Sequence, residues 1–236
     1  MLTPHLLLFG GRGAIGGAVL KRFSELGWQI TATSRSAVMP GEEAGVRWIV
    51  CDPSAETIAP EVLDAARYDA VCWAQGANLT DSVFTVQADK HLALYQANCV
   101  FVLETLKLLL NRDLLAPKAR LVVISSIWQN IARQDKLSYI MTKAAIGGLV
   151  RSASVDLAAH DILINAVLPS AIDTPMTRAN LATEQISRLA QATRFDRLVC
   201  LDDVVAAITF LLSPVNTGMT GQCLTVDLGF SHAHLV

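Results

Sequence analysis

Tyr139 and Lys143 stand four residues apart in Ser138-Tyr139-Ile140-Met141-Thr142-Lys143, at the start of a long apolar-periodic stretch. On a helix, that spacing sends both side chains from one face. A phenol titrates near ~10, too high for proton transfer at neutral pH, and a fixed cation beside it favours the phenolate and lowers that value. The pair is therefore a candidate proton donor and acceptor. The plain alternative is a surface Tyr beside a solvated Lys, and the pair alone does not decide between them. Thirteen positions earlier stands Ser126, at the end of a short apolar run. Its plain reading is a strand-end serine capping the next loop.

These side chains need elements to bring them together. Arg120-Leu121-Val122-Val123-Ile124-Ser125-Ser126 is a short apolar run of the kind buried in a parallel sheet, and residues at the carboxyl end of such a strand face a ligand crevice. His5 to Phe9 is a second apolar run, followed at once by Gly10-Gly11-Arg12-Gly13-Ala14-Ile15-Gly16 and a helical pattern to about Leu26. Strand, glycine loop and helix in that order form a phosphate cradle. Gly10 permits the tight turn, Gly13 lets backbone approach a pyrophosphate and Gly16 allows close helix packing, with the helix amino terminus attracting the phosphate charge. Further strands are expected at Trp28–Thr33, Val46–Cys51, Tyr68–Trp73, Leu163–Val167 and Gln222–Val226. Helices are expected at about Lys90–Leu110, Tyr139–Ala159, Thr183–Ala192 and Leu201–Leu212. That alternation requires a parallel sheet covered on both faces.

In sum, the chain closely resembles the short-chain dehydrogenase/reductase family over essentially its whole length. Its cofactor loop differs from the usual Thr-Gly-x-x-x-Gly-x-Gly in having Phe9 for the Thr and Ala14 for the middle Gly, while Gly10, Gly13 and Gly16 meet a variant spacing. Asn165-Ala166-Val167-Leu168-Pro169, Ile172-Asp173-Thr174-Pro175 and Thr220 to Asp227 match downstream landmarks. Where the family commonly has Asn-Asn-Ala-Gly, this chain has Trp73-Ala74-Gln75-Gly76, so the usual Asn hydrogen bonds must be replaced or absent. Ser170 and Leu228 each stand where a Gly is usual.

The resemblance implies an α/β fold, a single Rossmann-type doubly wound domain over 1–236 with a seven-stranded parallel sheet and a lid at about 170–200. It implies an oxidoreductase interconverting a ketone or aldehyde and an alcohol. Asn98, Ser126, Tyr139 and Lys143 would be catalytic, with Lys143 also lowering the Tyr139 pKa and holding the nicotinamide ribose, and Asn98 anchoring a water. Gly10, Arg12, Gly13, Ile15, Gly16, Ser34, Arg35, Asp52, Gly76, Pro169, Ile172 and Thr174, with Tyr139 and Lys143, would bind cofactor. Trp128, Gln129 and Arg133 would line the substrate pocket. The alternatives are a C=C double-bond reductase, a sugar-modifying member, and a non-catalytic nucleotide sensor.

NADP(H) is expected over NAD(H). An NAD site places a carboxylate at the end of the second strand, ~20 residues past the glycines, where it bonds the ribose hydroxyls. Here the chain reads Thr33-Ser34-Arg35-Ser36, hydroxyls and a guanidinium suited to a 2′-phosphate, with Arg12 placed to approach from the other side.

Composition narrows the partners. With 236 residues, 52% hydrophobic and only 17% charged, the chain fits one domain whose apolar surface needs covering, so a homodimer or homotetramer is expected. A net charge of -2 without a basic stripe argues against a nucleic-acid groove. The apolar stretches fall short of the ~18 residues of a membrane span, and the glycine loop interrupts any leader-like segment, so a cytoplasmic location is expected. Five scattered cysteines fit reduced core thiols, and neither they nor the His232–His234 pair indicates a metal site.

Overall fold

The computed structural model describes residues 3–37, 45–54, 67–174, 177–178 and 182–232. Pro175 and His234 therefore lie outside the described residues. The elements alternate as the periodicities predict: β1 (His5–Phe9), α1 (Ala14–Glu25), β2 (Gln29–Ser34), β3 (Val46–Val50), β4 (Tyr68–Trp73), α2 (Ala88–Tyr95), α3 (Phe101–Asn111), β5 (Leu115–Ile124), α4 (Leu137–Asp156), β6 (Leu163–Pro169), α5 (Thr183–Gln191), α6 (Leu201–Leu212) and β7 (Cys223–Val226). All seven strands run parallel in the order β3-β2-β1-β4-β5-β6-β7. The order reverses between β1 and β4, which leaves a crevice at the carboxyl ends of those strands.

Two cores, one on each face, follow from the two-residue period of a strand. Leu6 and Leu8 pack with Ile30, Ala32 and Val122 under α1 and α6. Leu7 and Phe9 pack with Val71, Trp73 and Leu121 under α3 and α4. In α1 the buried residues Gly16, Val19, Leu20 and Phe23 recur at helical spacing and form a single stripe.

One helical stretch departs from expectation. α2 and α3 are joined by a π turn, Gln96–Val100, into a 24-residue helical run, Ala88–Asn111, that is long and apolar enough to cross a membrane by length and composition. The periodicity places this helix at about Lys90–Leu110, and what it does not reveal is the π turn. Half of its most apolar window is buried inside the fold, so half of that apolar character goes to core packing.

The glycine loop is fixed by close approach. Gly10 has φ +79°, and a Cβ there would lie 2.7 Å from the Gln75 backbone nitrogen. A Cβ at Gly16 would sit inside the Gly10 carbonyl, whereas one at Gly13 would stay 3.3 Å from that same oxygen. Gly16→Ala should therefore force loop from helix and cost about 1–3 kcal/mol, while Gly13→Ala should cost much less. Urea unfolding midpoints of the two variants test this, and equal losses would contradict it.

Candidate functional site

The crevice has a nucleotide-like end and a reacting end. At the first, the Gly10 N–H donates to the Thr33 hydroxyl (3.1 Å) and the Gly11 N–H to the Thr33 carbonyl (3.0 Å), tying the glycine loop to the end of β2. α1 begins beyond Gly13 with no side-chain cap and no acidic residue in its first turn, so nothing neutralises the positive end of its dipole from within the helix. β2 and β3 pair at Ser34 and Val50, which puts Arg35 and Asp52 just past adjacent strand ends. Arg35 is exposed. The Ser34 hydroxyl turns back onto the Ser36 carbonyl, and Asp52 accepts from the Ser54 N–H (2.9 Å), which forms a turn. Arg12 and Ile15 sit on the loop and the first turn of α1.

Three residues here were not anticipated. Thr33 holds the loop. Gly11 packs where a Cβ would meet the Trp48 ring at 2.9 Å. Gln75, beside Gly10, has a buried amide oxygen with no hydrogen-bond partner. Gly11 could have been noticed as the second of a Gly pair, but the other two depend on contacts between strands.

At the reacting end the structure brings together all four expected residues. Ser126 follows β5, and its Oγ accepts from the Trp128 N–H (3.3 Å), capping a 3-10 turn over Ile127–Gln129. The same hydroxyl faces the Tyr139 phenol closely enough to lower its pKa. The Lys143 Nζ lies 5.5 Å from the centre of the Tyr139 ring and donates to the Ile124 carbonyl (3.1 Å). Asn98 sits on the π turn, where an extra residue rotates the helix. Its side chain accepts from the Ala77 N–H (2.8 Å) and donates to the Ala77 carbonyl and the Thr142 hydroxyl (both 3.1 Å). The described partners of its amide are thus the Ala77 backbone and the Thr142 hydroxyl. A Cβ on Gly76 would lie 3.7 Å from both Asn98 Oδ1 and Lys143 Nζ, so this glycine keeps the approach to the ammonium open.

Electrostatics corrects one expectation. Burial pushes the Tyr139 phenol up from its ordinary value, and only the Ser126 hydroxyl pulls it back. Lys143 is not among the causes of that shift, because its own pKa of about 8 lies below that of the phenol and it has lost its charge before the phenol ionises. Burial pushes Lys143 down to about 8, opposed weakly by the neighbouring Cys99.

The remaining expected residues divide. Trp128 packs edge-on against Phe230 (6.1 Å), and the Arg133 guanidinium lies 5.7 Å over the Trp128 ring. Trp128, Ser170, Leu189 and Phe230 line one small cleft, with α5 supplying Leu189 as a lid would. Gln129 is a correction. Successive residues of a 3-10 turn point about 120° apart, and the Gln129 amide accepts from the Ser125 hydroxyl (2.9 Å) and donates to Cys223 Sγ (3.2 Å), away from that cleft. Pro169 ends β6. Beyond it Ile172 bridges to Val199, and the buried Thr174 accepts from the Thr177 N–H (3.1 Å).

A family model described as Enoyl-(Acyl carrier protein) reductase matches residues 11–231. The chain is a short-chain dehydrogenase/reductase. It is 34% identical over 116 residues to cis-4-hydroxycyclohexanecarboxylate dehydrogenase of Sinomonas cyclohexanicum, covering 49% of this chain and 46% of that protein. The chain thus spans under half the length of that relative. D-Erythrulose reductase of Gallus gallus is 29% identical, covering 95% of this chain and 94% of that one. Among solved structures, a gluconate 5-dehydrogenase from Burkholderia cenocepacia in complex with NADP and tartrate shares the fold, with a TM-score of 0.89, 21% identity and coverage of 99% and 97%.

Lys143 gives this short-chain dehydrogenase/reductase a pH signature. Its pKa falls from 10.5 to about 8 on folding. Between those values the unfolded chain binds more protons, so stability should rise with pH across that window, by up to about 3 kcal/mol. In Lys143→Met that rise should be absent. Melting temperatures of both proteins between pH 7 and 10.5 test this, and a wild-type minus variant difference that stays flat would contradict it.

Proposed function

We propose that the chain is an NADP(H)-dependent oxidoreductase that interconverts a ketone or aldehyde with an alcohol. One observation carries the reading: the Ser126 hydroxyl faces the Tyr139 phenol, and the Lys143 ammonium lies 5.5 Å from the centre of the Tyr139 ring, at the carboxyl end of β5. A carbonyl oxygen held between Ser126 and Tyr139 would find one hydroxyl to stabilise its developing charge and another to protonate it. The neutral phenol can give a proton to the carbonyl oxygen in reduction and take it back from the alcohol in the reverse direction. When bound, the nicotinamide supplies hydride to the carbonyl carbon. Lys143 would hold the ribose hydroxyls, and Asn98 would keep Ala77 clear of them.

Several observations fit a dinucleotide to the crevice. The loop has a cradle at Gly10 and Gly16 that a Cβ would fill, α1 has an uncapped amino terminus, and Gln75 has an unpartnered acceptor beside Gly10. Gly10, Gly13, Ile15 and Gly16 would hold the pyrophosphate, Arg12 would approach the 2′-phosphate, and Pro169, Ile172 and Thr174 would meet the nicotinamide end. Arg35, exposed and with no carboxylate at the end of β2, favours a 2′-phosphate. Arg133 and Trp128 would meet the substrate.

The family model's description supports a second reading, reduction of a C=C bond. Product analysis after NADPH oxidation with ketones and with enones separates the two, and no turnover on either panel would favour a nucleotide sensor. Tyr139→Phe should lose about 100-fold or more in kcat while keeping its affinity for NADPH. Arg35→Ala should weaken NADPH by roughly tenfold and NADH little. Near-normal turnover of the first variant, or tighter NADH than NADPH binding by wild type, would overturn the respective assignment.

The same reading includes a homodimer or homotetramer. A cleft of about 630 Å³ runs between α3 and α4, lined by Tyr95, Val100, Leu103, Leu110 and Leu149. Leu103 is 50% exposed, an apolar side chain suited to a second copy. Light scattering should give at least a dimer, and Leu103→Glu should shift it toward monomer. A monomeric wild type at micromolar concentration would refute this.

A further inference from the structure

α4 carries Tyr139 and Lys143, yet it begins without a cap of its own. The residue at its N-cap position is Lys136, whose ammonium has no acceptor, and no acidic residue occupies its first turn. The acceptor comes from 57 residues upstream. Asp81, in the segment between β4 and α2, is 5% exposed, and its Oδ1 accepts from the Ser138 N–H at 3.0 Å. Its Oδ2 accepts from the Ser138 hydroxyl, which is wholly buried. Lys136 completes an exchange: its Nζ donates to Asn78 Oδ1 (3.1 Å), the Leu79 carbonyl (3.2 Å) and Thr80 Oγ1 (3.1 Å). Between these contacts the two backbones pair at Asp81 and Lys136, with the Leu137 N–H donating to the Asp81 carbonyl (3.2 Å).

The other end of this segment is clasped too. Asn98 bonds both backbone groups of Ala77, next to Gly76 and the Lys143 ammonium. Residues 76–81 therefore span from the floor of the crevice to the residue immediately before Tyr139, anchored at both ends by buried side chains. The Ser138 hydroxyl donates to Asp81, so the contact with His91 Nδ1 (2.9 Å) is one in which the imidazole N–H donates to Ser138. A hydroxyl so enclosed is no nucleophile. The two contacts of that hydroxyl, with the Ser138 N–H also on Asp81, pin the first turn of α4.

We infer that Asp81 is a positioning residue for Tyr139, acting through Ser138 to hold the phenol in line with Ser126 and Gly76. The inference rests on the proposed proton-transfer role of Tyr139. Asp81→Asn removes the charge and one acceptor while preserving shape, and it should lower kcat roughly 10- to 100-fold, as a misplaced reacting group does, with the dissociation constant for NADPH within about twofold. Acting through Tyr139, it should have no further effect on the residual rate of Tyr139→Phe, whereas general loosening of the fold would lower the rate in both backgrounds. Ser138→Ala, which keeps the backbone cap, should reproduce a smaller part of the loss and serves where Asp81→Asn does not fold. An unchanged kcat in both single variants overturns the inference, as does an equal loss with Tyr139 present or replaced. A wild type that turns over no carbonyl substrate would overturn the underlying reading and this inference with it.

Discussion

A cation without water around it constrains the reacting end more than any other group. The Lys143 ammonium is buried, and its one described hydrogen bond goes to the Ile124 carbonyl at the end of β5. A desolvated ammonium is costly, and its lowered pKa expresses that cost. The arrangement persists only because its neighbours are held tightly. α4 lies against β5 through that bond, and the Asn98 amide is held by both backbone groups of Ala77. The π turn under Asn98 belongs to the same set, since it turns that side chain inward while the apolar stripe of α3 continues into the core.

The two ends of the crevice are built from different material. At the nucleotide-like end the active parts are backbone: positive φ at Gly10, close approach at Gly16, free N–H groups at the start of α1. At the reacting end they are side chains held by other side chains, Ser126 on Tyr139, Asn98 on Ala77, Asp81 on Ser138. Backbone features leave a strong trace in sequence because only glycine permits them. Side-chain clasps leave little, because Asp, Asn and Ser occur in many roles.

That difference explains what could be read beforehand. The strands and the helices α1, α4 and α6 were legible to within a few residues, since period-2 and helical patterns track burial on each face of the sheet. Gly10, Gly16, Ser126, Tyr139 and Lys143 converge as their spacing suggested. Gln129 was misjudged because proximity in sequence to Trp128 says nothing about direction on a 3-10 turn. The Tyr139 pKa was misjudged because a neighbouring cation is visible in the spacing while the desolvation of both groups is a property of the packed fold. Asp81, Thr33 and Gln75 were invisible, because their partners lie on other strands or far along the chain.

Two departures from the family's pattern, separate in sequence, are one event in space. Phe9 replaces a Thr before the glycine loop, and Trp73 replaces an Asn at the end of β4. They are direct partners in the β1–β4 register. Their rings stack at 5.7 Å with an interplanar angle of 10°, and Phe101 meets Phe9 edge-on at 5.4 Å. Both rings are fully enclosed, and the Trp73 indole N–H donates to the Thr105 hydroxyl at 2.8 Å. An aromatic pair thus occupies positions where polar side chains are usual, and the one polar group it brings is satisfied within α3. Either change alone would set a large ring against a polar partner. Together they fill the space beneath the crevice with apolar surface and shift the burden of hydrogen bonding at the floor to Asn98 and Ala77.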